Sequence, residues 1–330
     1  MSEIVAKVYR NDCVESVHCG SIVVVDSKGE IIYQLGDPYF KTYFRSSAKP
    51  FQIIPVLKSG AIEKYNITEK EIAVMISSHS GEERHVKTVS SILKKIGLSE
   101  KNLQCGTHPP LYLTELGILP RKEDKFSPLQ HNFSGKHSGM LLLTVHKGWD
   151  VKTYLNPNHP TQKIILKTIA DICEYPLNKI RVGTDGCGAP IFYIPIYNMA
   201  RGFAKLAISE DIYLKQVVRC MSKYPEMVSG QNRFDLVLSQ TLDKRGVCKG
   251  GAEGLHSTAL LEKGWGVVVK ISDGNHRAIP PVALEALRQM GILKRQELAK
   301  IENWTNPKVK NYQGKIVGYI KADFKLKKGD

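Results

Sequence analysis

Ser46 and Lys49 stand three residues apart, a spacing that puts both side chains on one helical face, where a lysine amine can take the proton of a serine hydroxyl. An ordinary lysine, with a pKa of about 10.4, is almost wholly protonated at neutrality, so this chemistry requires burial and neighbouring cations to free the amine. Arg45 is adjacent. Two further clusters, Ser134-Gly135-Lys136 and Lys249-Gly250-Gly251, follow in the chain order in which serine acyl hydrolases of the S-x-x-K type carry a central serine motif and a late lysine-glycine motif. Both are loose matches. The order points to acyl transfer through an activated serine.

Other small, polar, glycine-rich clusters recur along the chain: Ser77-Ser78-His79-Ser80-Gly81-Glu82, Cys105-Gly106-Thr107-His108-Pro109-Pro110, Asp185-Gly186-Cys187-Gly188-Ala189-Pro190 and Ser272-Asp273-Gly274-Asn275. Glycine permits close backbone approach and exposed N–H groups, so such loops often host sites. A metal reading of His79, Glu82 and His85, or of His131, His137 and Cys187, lacks H-E-x-x-H spacing and is the weaker one. Phosphate-loop and dinucleotide fingerprints are absent from the sequence.

Taken together, these clusters, with Arg45-Ser46-Ser47-Ala48-Lys49-Pro50-Phe51-Gln52, His131-Asn132-Phe133-Ser134-Gly135-Lys136-His137-Ser138-Gly139-Met140 and Lys249-Gly250-Gly251-Ala252-Glu253-Gly254, resemble the Rhizobium-type L-asparaginases, the class 3 or asparaginase II family, over residues 21–320. The resemblance implies an α/β (α+β) fold of the serine β-lactamase and penicillin-binding-protein kind, a mixed sheet packed with helices, and a homodimer. It implies two serine-lysine pairs, Ser46 with Lys49 and Ser78 with Lys249, hydrolysing L-asparagine to L-aspartate and ammonia. Ser46 is the expected nucleophile, with Ser78 as relay or alternative. The zwitterionic substrate needs partners of both signs: Asp185 suits its ammonium, and Arg45, His137 or Arg233 its carboxylate, with Lys136 beside them. Relatives with zinc use two cysteines and a lysine. Here Phe133 stands at the first cysteine position and only Lys136 and Cys187 match, so no cofactor is expected. The alternatives are a glutaminase, a β-lactamase-like hydrolase, and a binding protein without activity.

The elements that must position these residues read less sharply. The 330 residues carry a net charge of +15 with ordinary globular composition, and the lysines are spread along the chain with no nucleic-acid signature. Seven scattered cysteines with no C-x-x-C pair, no apolar run of about 18 residues and no hydrophobic leader favour a cytoplasmic protein that binds neither nucleic acid nor membrane. A hairpin is expected at 21–34, a stretch helical at its start at 48–65, helices at 67–76, 85–96, 138–146, 161–175, 210–223, 234–241, 280–290 and 294–301, and strands at 265–271 and 315–320. Residues 106–120 read as loop. Strands at both ends with helices between suggest α+β layering in one unit.

Overall fold

The computed structural model describes residues 1–329 and mixes helix and sheet, as the fold-class expectation required. Two compact units divide the chain, one made of residues 1–47, 194–208 and 241 onward, the other of 48–193 and 209–240.

In the first unit, among the described residues, nine strands join one sheet. Its main path runs Lys308–Lys310, Ile316–Ala322, Glu3–Arg10, Cys13–Val25, Trp265–Ile271, Leu255–Leu260 and Gly246–Gly251, with Ile31–Leu35 and Lys327–Lys328 on a side branch. Neighbours along the path pair antiparallel throughout. The hairpin at 21–34 is present, with Ile22 opposite Leu35 and Val24 opposite Tyr33. Its first strand is far longer than expected, because residues 13–20 continue it against Glu3–Arg10. Glu15, Ser16 and His18 break up the apolar residues of that extension, which hides the strand from an apolar-run criterion.

Ile22, Val23, Val24 and Val25 are all fully buried, so both faces of the sheet are covered here, and the strand reads as a continuous apolar run instead of an alternation. The helices Ile196–Ile208 and Ile279–Gln289 pack on the sheet. Gly266 sets how closely the first of them lies, since a Cβ there would fall 1.9 Å from Ala200 O and 2.5 Å from Ala204 N. Lys249 lies on Gly246–Gly251, two strands from Trp265–Ile271, and faces Ser257 across the ladder.

The second unit is mainly helical. The stretch 48–65, expected to be helical at its start, holds three short helices, Lys49–Gln52, Ile54–Lys58 and Ala61–Lys64. Pro55 lacks a hydrogen-bond donor, and Gly60 turns the chain at φ +83, which accounts for the breaks. Glu69–Ile76 begins at a Thr68 capping box with Glu71, not at Asn66. Glu83–Lys95, Ser134–His146 and Pro160–Cys173 match expected helices, the second starting four residues early. A short helix, Leu111–Glu115, interrupts the expected loop, and the hairpin of Arg181–Thr184 with Pro190–Pro195 was not anticipated. Among the described residues no helix is long and apolar enough to cross a membrane.

A Gly266→Ala substitution should force the helix Ile196–Ile208 off the sheet and cost about 1–3 kcal/mol. Urea unfolding would show this as a lower midpoint at constant slope; an unchanged midpoint would mean the backbones are not in the contact described.

Candidate active site

Helix Glu69–Ile76 ends at Ser77, whose extended backbone turns the chain out of the helix. Ser78 is then held from two directions: its N–H donates to Val228 O at 3.0 Å, and its carbonyl accepts from Arg233 Nη1 at 2.6 Å. The Lys49 side chain, 1% exposed, ends here, donating to Ser77 O and, at 2.9 Å, to Ser78 Oγ. Within this unit the serine that meets Lys49 is therefore Ser78.

Helix Ser134–His146 supplies the other wall. A Cβ on Gly135 would lie 2.0 Å from Val74 O, so only glycine lets this helix approach Glu69–Ile76 so closely. That approach carries Lys136 and His137 inward. The Lys136 amine, 4% exposed, sits 3.3 Å from Cys187 Sγ and 3.6 Å from Asp185 Oδ2. Asp185 is fixed by its own turn, where its Oδ1 accepts from Gly186 N at 2.9 Å and its carbonyl from Gly188 N at 2.9 Å. Both amines also lie over the Phe133 ring, Lys49 at 4.4 Å and Lys136 at 4.7 Å from its centroid.

The histidines around these lysines are buried and disfavour a charge. Burial first, then the charges of His85 and Lys49, holds His79 well below the usual imidazole range; burial, then Lys136, does the same to His137. His131 is pushed down to about 3 by burial and His108, and His85 to about 4 by burial. His79 accepts from Gly81 N at Nδ1 and so donates from Nε2 to Ser134 Oγ, 2.9 Å away. The Cys105 thiol is pushed up to about 12, mainly by burial, and all seven cysteines are free.

The structure thus gathers Lys49, Ser78, Lys136, His137, Asp185 and Arg233 in the second unit. Arg233, expected as a carboxylate holder, donates to Ser78 O and lies 3.5 Å from Glu115, which makes it a brace for the Ser78 backbone. Glu115 also accepts from Ser80 Oγ at 2.8 Å. In the first unit, Ser46 is buried on the short turn Arg45–Ala48, and Arg45 itself adopts φ +45, a strained backbone for a non-glycine residue. Lys249 Nζ donates to Gly250 O at 2.8 Å, and its carbonyl accepts from Ser47 Oγ at 2.7 Å. Sequence reasoning missed Glu115 and Tyr154, which lie in no glycine-rich cluster; the Tyr154 hydroxyl meets His137 Nδ1 at 2.6 Å.

The donor set does not fit a zinc ion. Phe133 offers no ligand atom, and the Lys136 amine is already engaged by an aromatic ring and the Asp185 carboxylate.

The model of the L-asparaginase II family matches residues 6–322. The chain belongs to this family. No curated protein matches it. Among solved structures, Mglu in its native form is similar at 13% identity and a TM-score of 0.41, the alignment covering 83% of this chain and 65% of that one; the present chain therefore spans somewhat less than two thirds of Mglu's length. A putative β-lactamase from Bacteroides dorei aligns at 10% identity, TM-score 0.40, over 82% of this chain and 93% of that one. A β-lactamase from Mycobacterium bovis gives 10% identity and a TM-score of 0.38, covering 82% and 94%.

The neutral buried histidines make this L-asparaginase II family member acid-sensitive. An unfolded histidine takes up a proton near pH 6.5, whereas His85 and His131 in the fold resist until about 4 and 3. Stability is therefore complete above about pH 6.5 and falls as the pH drops below it, by roughly 1.4 kcal/mol per pH unit for each such histidine. Urea unfolding from pH 7 to 4.5 should show this slope, reduced in a His85→Gln variant; a flat profile would contradict the burial of neutral imidazoles.

Proposed function

We propose that this protein is an L-asparaginase working by serine-lysine catalysis, with Lys49 as its central base. The observation that carries the reading is the buried Lys49 amine hydrogen-bonded to Ser78 Oγ amid the family's motifs. The S-x-x-K match makes Ser46 the attacking hydroxyl. Its oxygen adds to the side-chain carboxamide carbon of L-asparagine while its proton passes to neutral Lys49. The amine donates to Ser77 O and Ser78 Oγ, and a neutral amine carries the lone pair that such a proton transfer needs. Once charged, it gains the attraction of the Phe133 ring.

The hydrogen bond to Ser78 then offers the proton a route to the departing nitrogen, which leaves as ammonia when the C–N bond breaks. A water hydrolyses the resulting Ser46 ester to L-aspartate and restores the serine. Lys249 completes the second serine-lysine pair that the family resemblance implies. Lys136 carries no resident zinc in this reading and acts as a fixed cation paired with Asp185.

Kinetics of ammonia release from L-asparagine, L-glutamine and a β-lactam panel test the activity. Ser46→Ala and Lys49→Met should each lower kcat by about 10³-fold or more with folding retained, and Ser78→Ala by about 10²- to 10³-fold, the range of lost nucleophilic and acid–base steps. Full asparagine turnover in Lys49→Met would sink the mechanism, and preference for a β-lactam the substrate. Protein purified without chelator and analysed by mass spectrometry for metals should hold far less than one zinc per chain; stoichiometric zinc would overturn the cofactor reading.

A further inference from the structure

His137 is fully buried on helix Ser134–His146, and its Nε2 has no hydrogen-bond partner. Its other nitrogen, Nδ1, lies 2.6 Å from the hydroxyl of Tyr154, which is itself fully buried. That hydroxyl meets one more group, the backbone N–H of Gln104 at 3.0 Å.

A backbone N–H can only donate, so it fills an acceptor position on the phenol oxygen. If the Tyr154 proton points to His137 Nδ1, every polar atom of the phenol is satisfied, and the neutral imidazole carries its proton on Nε2. In the other tautomer Nδ1–H would donate to the phenol, stranding the Tyr154 proton and the Nε2 lone pair together. The first arrangement leaves one buried group unpaired and the second leaves two. The unpaired Nε2–H belongs to a ring within electrostatic reach of Lys49, Lys136 and His131, among the groups of the candidate site.

The geometry points to Tyr154 as a positioning residue: its hydroxyl, oriented by the Gln104 N–H, locks His137 in the Nε2–H tautomer so that this donor is kept for an oxygen of the substrate. The inference rests on the asparaginase reading above, in which the acceptor is the α-carboxylate of L-asparagine. A donor to a group that does not react strengthens ground and transition states alike, so its loss raises KM and spares kcat. A purely structural tyrosine would leave the tautomer unaltered.

The test uses the full chain labelled with ¹⁵N-histidine. The wild-type spectrum should show His137 as a neutral ring protonated at Nε2 alone, and Tyr154→Phe should mix the tautomers. Tyr154→Phe should also raise KM for asparagine in proportion to the share of rings that leave the Nε2–H form, about twofold for an even mixture, with kcat unchanged. His137→Gln places an amide donor near the Nε2 position without needing the phenol, so adding Tyr154→Phe to it should leave KM unchanged. A wild-type ring protonated at Nδ1 overturns the proposal even if Tyr154→Phe fails to fold, as does an unchanged tautomer in the variant or an undiminished effect on the His137→Gln background. If the protein does not turn over asparagine, the spectra still decide the tautomer lock, and only the asparaginase reading fails.

Discussion

Burying the amine of Lys49 is the constraint around which the second unit is arranged. Taking an ammonium out of water costs several kcal/mol unless dipoles or opposite charge replace its hydration. The replacement begins at Ser77, the C-cap of helix Glu69–Ile76, whose carbonyl stands at the negative end of the helix dipole and accepts from Lys49. Ser78 Oγ and the Phe133 ring complete it. The helix therefore has to end where it does. Thr68 fixes its start through the capping box, and Glu71 is anchored again by Ser91 Oγ at 2.8 Å and by Lys95 at 2.6 Å.

Lysine side chains so placed also bear on the state of the imidazoles around them. Lys49 and Lys136 raise the cost of a further positive charge, which adds to the burial that already holds His79, His131 and His137 neutral. A neutral imidazole has one donor and one acceptor, so its hydrogen bonds fix its direction. The same solution is used three times: Gly81 N donates to His79 Nδ1, Phe133 N to His131 Nδ1, and the Tyr154 hydroxyl to His137 Nδ1. Each ring is thereby left with its proton on Nε2. His79 spends that proton on Ser134, whose hydroxyl passes the chain on to Leu129 O at 2.9 Å.

What the sequence could disclose follows from how local each signal is. The helices at 85–96 and 161–175 announce themselves through apolar spacing, and the hairpin at 21–34 through β-branched runs around a glycine turn. The strand Glu3–Arg10 and the first half of Cys13–Val25 are held by pairing with each other and carry exposed charges, so no short window shows them. Motif chemistry located Lys49, Ser78, Lys136 and Asp185, because glycine-rich polar clusters mark where backbone must come close. It could not foresee that Arg233 would be used on Ser78 O, since that contact joins positions 155 residues apart. Tyr154 was invisible for a related reason: a lone tyrosine in a loop acquires its role only from the two groups that converge on its hydroxyl.

Phe133 shows how much of the rigidity must come from packing. A ring under an ammonium contributes roughly 0.5–2 kcal/mol, so the two lysines over Phe133 hold this corner only weakly. The order has to be made elsewhere, and two features supply it. Gly135 lets one helix seat directly on the backbone of another, and Ser78 is clamped between Val228 O and the Arg233 guanidinium. Both act on the main chain, so the positions of Lys136 and Ser78 are set by backbone contacts.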